Sequence, residues 1–511
     1  MREEWLILSR MILPVLKVLG LTWLGYAAAL GGGVAVLRRW GNPWLGGLLL
    51  GVLLMSVYSY SRHYLIPYNA DTDQRSVLLT GDEPDYLLTA LSLARDGDIN
   101  IANNIARDDY KLFQERAIGG GDFDFFNRIS KGRIAAHRAE WGSSRYMQHR
   151  PGISVFLSPV FKFSEENYRW WSYFSISCVL VLAGVLGWMT ALRLGFDGGT
   201  MFVVCVVCLL APPVLFYANQ VYPESVAGCL LLAAAGSLSI GRRMVWMAVP
   251  VLMGVIWFTD RALPVFAPLA IATVVALGSW RQRWAAMALL GLSLLLFGFY
   301  CQHRFGMPFP ISHNEVFDSS LSSVPIRMFQ IFFDNMQGWA WLFPPALLLP
   351  AILWTIFRQR PLPVIPLMIL AGLVLNLAMV AAFGDWRGGT NPRGRYYVIP
   401  QLLMIPLLFN WFKLSSRQAG RVYLGWLIAL GALALLPLFW LLDHPAWWFR
   451  SYHPFFGWEP VQGFYIYLPS LPDQAERHEW LKLLMWLPLL IIPSCACILA
   501  DMKARKAPTH L

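Results

Sequence analysis

The heptapeptide Gly81-Asp82-Glu83-Pro84-Asp85-Tyr86-Leu87 concentrates carboxylates directly after an apolar run. Glycine before and proline after the first two acids predict a turn that opens a helix, with Pro84 in its first turn and Asp82 or Glu83 against the positive helix N-terminus. A carboxylate so placed has two uses. It caps the helix or, in the right company, it takes the proton from a hydroxyl that attacks an electrophile. Its company is His149-Arg150-Pro151-Gly152, Tyr222-Pro223-Glu224, Asp260-Arg261 and the stretch Asp385-Trp386-Arg387-Gly388-Gly389-Thr390-Asn391-Pro392-Arg393-Gly394-Arg395-Tyr396-Tyr397. Guanidinium forks suit phosphate oxygens, and glycines let the backbone approach them closely. An anionic lipid headgroup accounts for Arg387 as well as a substrate does, but accounts less well for the glycines. Glu224 and Arg261 are charges at helix ends, and each would cost roughly 2.5 to 3.5 kcal/mol if driven to mid-bilayer. They are kept for function or pair with one another as structural glue; the residues alone leave both readings open.

The elements that must carry these groups are transmembrane helices. Of 511 residues, 57% are hydrophobic and only 14% charged, with a mean hydropathy of +0.49, whereas a soluble domain has roughly a quarter charged residues. Apolar runs of near-spanning length occupy 11–37, 43–60, 168–192, 200–218, 224–240, 244–258, 264–279, 284–300, 337–357, 361–383, 395–412, 421–442 and 481–500. The fold class expected is therefore an all-α polytopic membrane protein of about 12–13 transmembrane helices. The formal charge of +11 is not a nucleic-acid surface, because its basic residues are spread over alternate short gaps, at Arg38 and Arg39, Arg193, Arg242 and Arg243, Arg281 and Arg283, Arg358 and Arg360, Lys413 to Arg421, and Lys503 to Lys506. That alternation follows the positive-inside rule and leaves 61–167, 302–336, 384–394 and 443–480 on the other side, with two short outside turns near Tyr222 and Asp260, and the chemistry-bearing residues lie on that side.

The chain divides accordingly into N-terminal helices at 1–60, a long first loop at 61–167, a main bundle at 168–442, an outside loop at 443–480, and a last helix with a basic tail at 481–511. Residues 152–163 are too short to span and are expected to lie along the interface. Ala27-Ala28-Ala29 has the small residues of a leader cleavage site, but Glu3 and Glu4 break the basic segment that a leader requires. The seven cysteines lack metal-ligand or disulfide-framework spacing.

In their order, the acidic GDEPDYL turn, HRPGISVFLSPVF, the YPE turn, FTDRALPVFAP, FFDNMQGWAWLFPP and WRGGTNPRGRYYVIP resemble the GT-C membrane glycosyltransferases, specifically the bacterial relatives of protein O-mannosyltransferases and aminoarabinose transferases. The resemblance covers most of residues 75–400. It implies a GT-C-like bundle with short interfacial helices in a long non-cytoplasmic first loop. It implies a catalytic carboxylate at Asp82 with Glu83 beside it, and Arg261, Arg393 and Arg395 near a lipid phosphate. Asp85, Tyr86, His149, Arg150, Tyr222, Glu224, Asp260 and Tyr396 complete the expected substrate site.

The implied partners are a polyprenyl-phosphate sugar donor, a lipid, glycan or protein acceptor with a hydroxyl-type nucleophile, and membrane lipids, with no nucleic acid. The implied location is the bacterial cytoplasmic (inner) membrane, with the active site on the periplasmic or extracellular face. No nucleotide site is required, and the resemblance leaves a divalent metal as an open cofactor, which would fall to Asp82 and Glu83. A transporter or flippase of a polyprenyl-linked glycan has a similar composition, but transporters tend to carry internal repeats, and no second copy of the acidic turn occurs in the later half.

Overall fold

The computed structural model describes helical residues between Leu24 and Ala35, then residues 43–65, 68–69, 74–75, 83–113, 149–305, 324–334, 338–382, 394–415, 417–436 and 477–506. Among these the regular secondary structure is helical apart from a two-residue antiparallel pair, Tyr68–Asn69 with Gln74–Arg75. The principal helices, in chain order, are α1 (Pro43–Leu65), α2 (Glu83–Arg95), α3 (Gly152–Phe163), α4 (Tyr168–Arg193), α5 (Gly198–Leu210) and α6 (Pro223–Ile240). They continue with α7 (Arg242–Val255), α8 (Leu263–Ala276), α9 (Trp280–Phe305), α10 (Val324–Phe333) and α11 (Leu349–Phe357). The last are α12 (Val364–Ala382), α13 (Val398–Leu414), α14 (Arg417–Leu435) and α15 (Arg477–Lys506).

Among the described residues, seven helical segments are long and apolar enough to cross a bilayer: 44–61, 168–193, 223–240, 280–303, 364–382, 395–414 and 482–505. The expected runs at 244–258 and 264–279 instead contain helices of 14 residues each, and 200–218 and 337–357 are interrupted. Of the run at 11–37, only part lies within the described residues. Burial sorts the long helices. The spans at 395–414 and 223–240 are 78% and 67% buried, so α13 and α6 form the centre, while 168–193 and 280–303 are 33% buried and face outward. Leu182, Leu186, Leu295 and Phe299 are exposed on those outer helices, an apolar surface suited to lipid tails. Around α6 pack α4, α7, α8 and α13.

The break after α5 shows how irregular backbone survives inside such a bundle. Pro212 and Pro213 have no N–H, so the carbonyls of Cys208 and Leu209 lose their helical donors. Gln401 Nε2 of α13 donates to Cys208 O at 2.8 Å and to Ala211 O at 3.0 Å, and the Tyr58 hydroxyl of α1 donates to Leu209 O at 2.9 Å. Ser177 and Ser225 hydroxyls serve Ala218 O and Tyr217 O. Side chains from four helices thus satisfy the carbonyls left over in a buried, broken stretch, with a single short helix at Val214–Tyr217, that reaches Tyr222 and forms the floor of the site.

Arg193, Arg281, Arg283, Arg358, Arg360 and Lys413 sit where helices meet at one end of this bundle, and the turns at 217–223, 259–262 and 394–397 at the other. Short α3 packs on α2 rather than spanning. At the far end of α2, Arg95 bridges Asp109 and Glu165, and Arg107 bridges Asp96 and Asp109, which fastens residues 96–113 against the start of α4. The Arg107 hydrogen bond holds the Asp96 carboxyl below its ordinary pKa.

The entry to α3 is equally constrained. Gly152 N donates to Trp257 O at 2.9 Å, and a Cβ there would lie 2.6 Å from that oxygen. Gly152→Ala should therefore lose about 1–3 kcal/mol of stability in detergent unfolding. Gly291→Ala, where a Cβ meets nothing within 4 Å, should not lose any.

Candidate functional site

Glu224 opens α6, immediately after Pro223 at its first turn, and is 1% exposed. A carboxylate this deep requires compensation, and it comes from two turns remote in sequence. Arg261 Nη1 and Arg395 Nε (2.9 Å) both donate to Glu224 Oε1. Oε2 is buried and has no hydrogen-bond partner among the described residues. Arg261 stands in a 3-10 turn, Asp260–Ala262, whose start is capped by Thr259, and its carbonyl accepts from Asn376 Nδ2 of α12 at 2.6 Å. Burial works against the Arg261 charge, but Tyr396, Glu224 and Asp260 outweigh it and raise its pKa above the ordinary arginine value.

Arg395 begins the 3-10 turn Arg395–Tyr397 that leads into α13. It is launched by Gly394 at φ +79°, in the left-handed region, where a Cβ would stand 2.9 Å from both Pro213 and Leu342. Only glycine fits that backbone and that space. The two guanidiniums also lie over aromatic rings, Arg395 over Tyr222 at 4.3 Å and Arg261 over Tyr396 at 4.0 Å, contacts worth on the order of 1–2 kcal/mol when desolvated.

The acidic turn meets this cluster through α2. Tyr86 hydroxyl is 3.5 Å from Arg395 Nη2, and its ring packs at 6.3 Å from Tyr222 and 4.8 Å from His149. His149 Nε2 is 3.3 Å from Asp85 Oδ2. Arg150 turns the other way, to Cys301 Sγ at 3.0 Å and over the Phe297 ring at 4.7 Å, and so ties this segment to α9. Asp85, Tyr86, His149, Tyr222, Glu224, Asp260, Arg261, Arg395 and Tyr396 therefore gather at one end of the bundle, joined by these contacts and by the neighbouring position of Asp260. Asp82 and Arg393 lie outside the described residues.

Glu83 has a more specific position than the sequence suggests. It is 0% exposed, and its Oε1 accepts the Val221 N–H at 2.6 Å. Its carboxylate thus serves the irregular floor and fixes α2 to it, which makes Glu83 a positioning residue. No group of three or more His, Cys, Asp or Glu able to hold a metal ion occurs among the described residues.

Sequence reasoning passed over Asn376, Gln401 and the polar stripe Arg327, Gln330 and Asp334. Asn376 had a signal, being a lone amide in an apolar run. The stripe had one too, recurring at helical spacing in 324–334. Its members are buried while Ile326 and Phe329 of α10 are exposed, the reverse of a soluble helix. Arg327 Nη1 lies 3.5 Å from Ala381 O near the end of α12.

Compared with known proteins, the chain matches no family model, no curated relative and no solved structure.

Removing the Glu83 carboxylate should orphan a buried N–H. Glu83→Ala is expected to cost about 1–3 kcal/mol in thermal unfolding, and Glu83→Gln, which keeps a carbonyl acceptor, to recover most of it. Equal and wild-type stability of both variants would contradict the positioning role.

Proposed function

We propose that the chain is a GT-C-type membrane glycosyltransferase that moves a sugar from a polyprenyl-phosphate donor to a hydroxyl-type acceptor. The observation that carries this reading is the meeting of the Tyr86 turn with the Arg261–Glu224–Arg395 cluster, which brings acidic and cationic turns from distant parts of the chain to one end of an apolar bundle.

Asp82, the residue immediately before the anchored Glu83, is the base that takes the acceptor proton. As the hydroxyl oxygen bonds to the anomeric carbon, the bond to the donor phosphate breaks and its electron pair leaves on the polyprenyl phosphate. That growing charge is met by Arg395 and Arg261, with Arg393 beside them in sequence. A guanidinium has five N–H donors, so one edge can hold Glu224 while another meets phosphate. A single displacement inverts the anomeric centre. Glu224 keeps the two arginines preorganised between turnovers, and the polyprenyl tail would run along the apolar side of the helices. The positive-inside pattern assigns the basic end to the cytoplasm, which gives a bacterial inner-membrane protein acting on the periplasmic or extracellular face.

Sugar transfer from a polyprenyl-phosphate donor, measured in detergent on variants that elute as wild type, tests the reading. Asp82→Asn should slow kcat by about 10² to 10⁴-fold. Arg395→Ala should weaken donor use far more than Arg39→Ala, which lies in a basic cytoplasmic gap. A wild-type rate for Asp82→Asn, or equal effects of the two arginine variants, would contradict the assignment.

A further inference from the structure

Opposite the charged cluster, the bundle holds a cavity of about 380 Å³, within the usual range of ligand pockets. Its walls come from α4, α6, α8, α12 and α13, in each case from the end away from the site. Along α6, Gly236 lies about 18 Å beyond Glu224, and along α13, Lys413 lies about 27 Å beyond Arg395, at 1.5 Å of rise per residue.

Sequence explains why space remains. A Cβ at Gly187 or at Gly236 would meet nothing within 4 Å, so both glycines leave the wall unfilled. Val275 and Val364, 50% and 44% exposed, form part of the rim, so the cavity opens sideways toward the surface that lipid tails cover.

The polar groups are concentrated where α13 ends. Asn410 gives one amide proton to Pro406 O at 2.8 Å and has a second to offer. Lys413 follows three residues later on the same helix face, is exposed, and makes no ion pair among the described residues. Arg193, next to the lining residue Leu194, adds a second cation nearby. None of the described lining residues is acidic.

An apolar sleeve open to the hydrocarbon with a cationic mouth is complementary to an amphiphile that has an anionic head. We propose that this cavity binds an anionic glycerophospholipid of the leaflet at the basic end, with one acyl chain between α6, α8 and α12 and the phosphodiester on Lys413 and Asn410. The lateral opening favours a ligand dissolved in the membrane over a free phosphate. This site is independent of the transfer reaction, and its ligand would be a structural or regulatory lipid.

Native mass spectrometry of the delipidated full chain, titrated with dioleoylphosphatidylglycerol or dioleoylphosphatidylcholine, tests the proposal. The first bound phosphatidylglycerol should be about tenfold tighter than phosphatidylcholine, a difference of roughly 1.4 kcal/mol. Lys413→Ala should remove the preference, Lys413→Arg should retain it, and Gly236→Leu should weaken phosphatidylglycerol by filling the cavity. Glycerol 3-phosphate should not compete. Equal wild-type affinity for the two lipids, a preference unchanged in Lys413→Ala, or competition by glycerol 3-phosphate would each overturn it. Because Lys413 is exposed, its variants keep the test decisive even if Gly236→Leu fails to fold.

Discussion

A buried carboxylate, Glu224, has to be neutralised where water is absent, and that constraint organises the whole upper end of the molecule. Leaving one such charge unpaired costs several kcal/mol, so the turns that carry Arg261 and Arg395 must both close on the start of α6. Once they do, α8 and α13 are set in place, since Arg261 precedes the one and Arg395 leads into the other. The rings of Tyr222 and Tyr396 then cover the guanidiniums, and Tyr86 brings in α2. In the proposed enzyme the same pair of arginines meets the leaving phosphate, so the ion cluster that closes the bundle also prepares the site.

A second constraint acts beneath it. Pro212 and Pro213 end α5 within the bundle, and from there to Tyr222 one short helix, Val214–Tyr217, leaves several backbone groups without helical partners. Gln401, Tyr58, Ser177, Ser225 and Glu83 supply the missing partners from elements far apart in sequence. Glu83 therefore couples the floor of the site to the helix that follows Asp82. This is why an acid beside the proposed base is buried: its carboxylate holds backbone.

The convergence of the polar turns was legible in the sequence because it follows from sidedness. Basic gaps alternate with the turns that hold residues 83–87, 222–224, 260–261 and 394–397, and alternation alone sends those turns to one end. Pairing was less legible. Glu224 with Arg261 was one of two open readings, and the second arginine, 171 residues from Glu224, had no local signal. The break after α5 was hidden because residues 200–218 are apolar throughout and hydropathy does not register a missing N–H. For the same reason the runs at 244–258 and 264–279 read as spans, although the helices within them stop after 14 residues. Glycine-rich spacing before Arg395 did carry information, as Gly394 adopts a backbone and fills a space that no side chain allows.

The most direct measurement is a double-mutant cycle of Glu224→Ala and Arg395→Ala, read by reversible unfolding in mixed micelles. Glu224→Ala leaves two buried cations facing one another and should cost about 3–5 kcal/mol. Adding Arg395→Ala should restore part of that loss, giving a coupling of about 0.5–3 kcal/mol. Simple additivity of the two losses would mean that Glu224 does not hold Arg395, and the account of how this end of the bundle closes would fail.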